Sequence, residues 1–105
     1  MLFDQGTPVP LRRALIGHEV KTAHERGWSR LANGELLRAA EAARFAVLVT
    51  TDKNLRYQQH LPARRIAVVV LGTTSWPRIQ RVSELVAAVV DQAARDAGFI
   101  EVPIP

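Results

Sequence analysis

Two aspartates each close an apolar run: Asp4 follows Met1-Leu2-Phe3, and Asp52 follows the stretch 45–51, FAVLVTT. Open parallel sheets place their ligand crevice outside the carboxyl ends of the strands, where the strand order reverses. Two carboxylates meeting there would form a negative, oxygen-rich pocket of the kind a hard Mg²⁺ or Mn²⁺ requires. A cation held in this way activates water and offsets charge on a phosphodiester in the transition state. Each Asp also has a plainer reading, because an Asp just after a strand often caps the next turn of helix. Asp52, followed by Lys53, Asn54 and Leu55, fits that role as well.

Other chemistry has weaker support. His18, His24 and His60 show no His-x-x-x-His spacing, and Ser29, Ser75 and Ser83 stand in no nucleophile elbow. The sequence GTTS at 72–75 lacks the second glycine and the lysine of a phosphate-cradling loop. It does follow a strong apolar run, which places Thr73, Thr74 and Ser75 on the same rim as Asp4, where they bond a phosphate or cap the last helix. Among the basic residues expected near this rim (Arg12, Arg13, Lys53, Arg56 and Arg78), Arg13 and Lys53 are the foremost candidates for a phosphate. Trp76 either stacks a base or packs as a staple against the last helix. Trp28, in RGWSRL, either meets a partner or covers one edge of the core.

The elements that must position these residues follow from the hydrophobic pattern. Residues 1–3 read as a short strand. Thr7 is placed to cap a helix with Pro8 at its first position, Leu11, Ala14 and Leu15 on its apolar face, and Gly17 at its end. Residues 19–23 alternate as a second strand, and the loop that follows is broken by Gly27 and Gly34. Asn33 stands at a helix N-cap, with Leu36, Leu37, Ala40 and Ala43 at helical spacing. Residues 45–50 and 66–71 read as strands buried on both faces. Asp52 opens a short helical turn through Gln59, ended by Pro62. Ser75 and Pro77 start one long helix whose inward positions are Ile79, Val82, Val86, Val89, Val90, Ala93 and Ala97; Gly98 ends it, before an edge strand at 99–102. This alternation predicts a three-layer α/β/α sandwich with a mainly parallel sheet of four to five strands and right-handed crossovers.

A chain of 105 residues with 48% hydrophobic and 23% charged residues is expected to form a single domain over residues 1–105. It has no cysteine, so disulfides and thiolate metal sites are excluded. The longest aliphatic run is too short to span a bilayer, and MLFDQG does not read as a secretory leader, so no membrane association and a cytoplasmic location are expected. The net charge of +4 and pI near 10.7, carried mostly by arginine, suit contact with a polyanion such as nucleic acid.

The order and spacing of these pieces resemble the short PIN-like proteins, relatives of the PIN ribonucleases that include many bacterial toxins of toxin–antitoxin pairs. The resemblance runs from Leu2 to about Val90. It rests on LFDQGTPVPLRRAL (2–15), in which an Asp closes strand one before a proline-bearing segment, and on NGELLRAAEAARFAVLVTTDKNL (33–55). Thr50, Asp52, Asn54 and Leu55 occupy the positions of the family's Thr-x-Asp-x-Asp-aromatic sequence.

The resemblance implies an acidic cluster that binds Mg or Mn for RNA cleavage, with Asp4 and Asp52 as catalytic metal ligands. It places Asn33 and Asn54 at the two remaining metal positions, where the family has aspartates; asparagine offers an oxygen but no charge. Arg13, Thr50, Lys53 and Thr73 are then candidates for substrate contact. Glu35, two residues after Asn33, either turns inward as a substitute ligand or serves as a favourable charge in the helix's first turn. The implied partners are RNA, a small helix-turn-helix antitoxin and a second copy of the chain. Because two acidic positions are neutral, the alternative is a PIN-like module that has lost turnover and works by binding protein or RNA.

Overall fold

The computed structural model describes residues 1–53, 65–96 and 98–105, and only the backbone of Asn33. Five strands form one sheet: β1 (Leu2–Phe3), β2 (Lys21–Thr22), β3 (Val47–Thr50), β4 (Ala67–Leu71) and β5 (Phe99–Val102). Every pairing is parallel, in the order β2-β1-β3-β4-β5. A strand in the middle of such a sheet has two buried faces and therefore tolerates no polar alternation. β4 shows this directly: all of AVVVL is buried.

Its side chains divide between two cores. Val68 and Val70 join Leu2, Leu48, Leu36, Leu37 and Ala40 on one face. Val69 and Leu71 join Phe3, Val49, Leu11, Ile79, Val86 and Val90 on the other. The first face is covered by helix α1 (Asn33–Ala42), the second by a 3-10 helix (Val9–Ala14) and by helices α2 (Trp76–Arg81) and α3 (Ser83–Arg95). The predicted three-layer α/β/α sandwich is the observed architecture. Going from β1 to β2 the chain crosses one face; from β2 to β3 it reverses direction and crosses the other, as right-handed crossovers require. The strand order therefore switches between β1 and β3, the strands that Asp4 and Asp52 follow.

Three local expectations are corrected. The first helix is a 3-10 helix that begins at Val9 after Pro8, so Thr7 does not cap it. Pro8 and Pro10 lack amide protons, and short-range bonds such as Leu11 N–H to Pro8 O and Leu15 N–H to Arg12 O, each 3.2 Å, tighten the turn. The N-cap of α1 is Ala32 rather than Asn33. Here Leu36 N–H reaches Ala32 O at 2.7 Å, and the exposed Glu35 reaches back to Ala32 N–H at 3.4 Å. This is half of a capping box, completed without a capping side chain. The predicted long last helix is two helices, interrupted at Val82 (φ −119°, ψ 25°). Ile79 before the turn and Val86 after it are both fully buried, on the face expected of one continuous helix. Ala97 lies outside the described residues, as does most of the turn expected between Asp52 and Gln59.

The end of α1 carries an unusual backbone. Arg44 N–H bonds Glu41 O and Phe45 N–H bonds Ala40 O, each at 3.0 Å, forming a Schellman motif. That motif needs a left-handed residue, normally glycine, and here it is Arg44 at φ +64°. Among the described residues it is the only non-glycine with positive φ, at a cost of about 1 kcal/mol.

Candidate functional site

Asp4 leaves β1 with its amide still in the sheet, donating to Val49 O at 3.0 Å. Its side chain is buried (8% exposed) between the ends of β1 and β3. Oδ1 accepts the Thr7 N–H at 3.0 Å and lies 2.6 Å from the Thr7 hydroxyl. The same hydroxyl sits 3.0 Å from Val49 O, and its single proton goes to the closer, charged Asp4 oxygen. Oδ2 accepts the Thr50 hydroxyl. Thr50 Oγ1 in turn accepts the Asp52 N–H at 3.1 Å. One buried hydroxyl thus connects the carboxylate that closes β1 to the backbone of the aspartate that follows β3.

An ionised carboxylate has about four acceptor positions. Thr7 N–H, Thr7 Oγ1 and Thr50 Oγ1 use three of them, and Asp4 also lines a cavity of about 180 Å³ with Gln5, Gly6, Trp28, Ser29 and Leu36. Gly6 keeps the rim tight: a Cβ there would overlap Thr51 Oγ1 and come within 3.9 Å of Asp4 Oδ1. The donors here are all oxygens, which suits a hard cation in type. Among the described residues no group of three His, Cys, Asp or Glu side chains is placed to hold a metal ion. Asp4 is the acidic side chain that lines this cavity, and Asp52 is tied to it through its backbone N–H and the Thr50 hydroxyl.

The other predicted residues fall in several places. Thr50 is the last residue of β3 and is buried. Asp52 is half-buried and Lys53 exposed. Lys53 lines a different cavity, of about 540 Å³, with Gly72, Glu101, Pro103 and Ile104 beyond β4 and β5. Arg13 is exposed on the 3-10 helix and does not line the Asp4 cavity. Thr73 Oγ1 accepts the Ser75 N–H at 3.1 Å, so it shapes the start of α2. Asn33 is the first residue of α1, and Asn54 lies outside the described residues. Trp28 is half-buried against the α1-side core, edge-to-face with Phe45 at 6.2 Å, and Trp76 packs on the other core.

Sequence reasoning missed Thr7 as the partner of Asp4. The signal was present in Asp4-Gln5-Gly6-Thr7, a turn in which an Asp side chain bonds a nearby backbone N–H. The link through Thr50 had no local signal.

The fold and rim define an all-parallel, doubly wound α/β domain with a buried aspartate at its topological switch point. Comparisons with protein-family models, with curated proteins and with solved structures found no match to the chain. No described helix is long and apolar enough to cross a membrane.

Proposed function

We propose that the protein is a PIN-like, metal-dependent ribonuclease, the toxin of a toxin–antitoxin pair, working at the rim between β1 and β3. The observation that carries this reading is the joining of Asp4 and the Asp52 backbone through the Thr50 hydroxyl at the switch point. Asp4 and Asp52 would hold Mg or Mn, with Asn33 and Asn54 as neutral oxygen donors. A divalent cation bound there supplies an activated water and offsets charge on the phosphodiester. The chain's own contribution is positional: Thr7 and Thr50 fix the Asp4 carboxylate, and Lys53, exposed beside Asp52, meets a phosphate of the RNA. A helix-turn-helix antitoxin and a second copy of the chain are the proposed protein partners.

Calorimetric titration with Mn²⁺, run beside a single-stranded RNA cleavage assay, tests the proposal. Wild type should bind the cation and cleave, and Asp52→Asn should lose both. The other reading, a module that binds RNA or protein without turnover, is favoured by the three hydrogen bonds that already occupy Asp4. Wild type that neither binds Mn²⁺ at about millimolar concentration, weak on the usual scale of affinities, nor cleaves RNA would decide for the module.

A further inference from the structure

The opposite end of the sheet carries a second constellation. Two cavities, of about 460 and 370 Å³, lie side by side at the amino ends of the strands and share Arg44 and Phe45 as a wall. The smaller is lined by Met1 and Lys21, at the starts of β1 and β2, and by Arg26 from the turn that follows β2; the larger by Arg65 and Ile66, just before β4. Lys21, Arg26, Arg44 and Arg65 are all exposed. Lys21 approaches Glu19 at 3.9 Å. Among the described residues, Arg26, Arg44 and Arg65 have no carboxylate partner. Arg26 instead lies over the Trp28 and Phe45 rings, 4.7 and 5.5 Å from their centroids. Phe45, Ala42 and Ile66 supply apolar lining between the charges.

Arg44 is the most informative member. Its backbone occupies the left-handed conformation that glycine fills without strain, so the turn itself does not require a side chain there. Strained residues of this kind cluster at binding and switch regions. Here the strain places a guanidinium between two cavities.

We propose that this amino-terminal edge is a docking surface for an acidic, partly apolar segment of a partner protein. Arginine forks pair with carboxylates bidentately, and the pockets beside Arg44 accept apolar side chains. An RNA strand fits less well, because a continuous run of phosphates matches poorly a surface whose guanidinium groups are separated by the apolar lining of Ala42, Phe45 and Ile66. The aromatic faces that a base would stack on already carry Arg26. The proposal is independent of metal binding at Asp4.

The test uses fluorescence anisotropy of a labelled peptide of glutamates with leucine at every third place, beside a lysine counterpart and a single-stranded oligouridylate. The acidic peptide should bind and the lysine peptide should not. Arg44→Gly and Arg65→Gln should each weaken binding about tenfold, the worth of a charge-assisted hydrogen bond. Arg44→Gly should also raise the melting temperature, which separates loss of contact from loss of fold. Asp4→Asn should leave peptide affinity unchanged whatever it does to nuclease activity. The proposal is overturned if the peptide fails to bind at about millimolar concentration, the weak end of the affinity scale. Unchanged affinity in both arginine variants, or oligouridylate binding more tightly at the same residues, overturns it as well.

Discussion

At the scale of single residues, the neighbouring threonines 50 and 51 make the clearest contrast. Thr50 is buried, donates to Asp4 and accepts from Asp52 N–H; Thr51 is only half-buried. Replacing Thr50 by valine keeps the shape but leaves a buried carboxylate oxygen and an amide short of a partner. That should cost about 2 kcal/mol in urea unfolding, and Thr51→Val under about 0.5 kcal/mol. Equal losses would mean that the hydroxyl bridge contributes nothing. The sequence made Asp4 and Asp52 legible because each follows an apolar run. It left their connection hidden, since Thr50 and Asp4 lie 46 residues apart and only tertiary folding joins them.

Among the elements, β3 and β4 were the most legible, because an uninterrupted β-branched run has few alternatives to a buried parallel strand. The interruption at Val82 was not legible, because valine and serine have ordinary helix propensities. Nor was the N-cap of α1 legible from Asn33, because Glu35 and the backbone satisfy that end without it. Both α2 and α3 bury one face against the sheet. Ile79→Ala should destabilise by about 3 kcal/mol, because this side chain is fully enclosed. Leu85→Ala, in α3 but 49% exposed, should change stability by less than about 0.5 kcal/mol. Chemical denaturation of the two variants checks this, and similar losses would refute the assignment of faces.

For the molecule as a whole, Glu25 links separate parts of the chain. It accepts the Thr22 N–H at 2.9 Å and Arg12 Nη2 at 2.7 Å, joining the end of β2 to the 3-10 helix. The Thr22 amide first, then Arg12, hold its carboxyl below the usual value of 4.5. A depressed acid pKa means the unfolded chain binds the proton more readily, so stability rises with pH across that interval. The contribution is therefore present above 4.5 and lost as pH falls through the lower folded value. Glu25→Gln should flatten the acid limb of the melting-temperature profile, and an unchanged limb would assign acid sensitivity elsewhere. Beyond equilibrium, the register of β1 constrains how the molecule is made. Leu2 pairs with Lys21 on one side and with Leu48 on the other. On the ribosome this strand leaves the exit tunnel before either neighbour, and its second flank stays open until residue 48 has emerged. Vectorial synthesis therefore delivers β1 first and covers its second flank only when β3 emerges, so slow translation across residues 4–47 prolongs the interval in which Leu2 and Phe3 are open to chaperones.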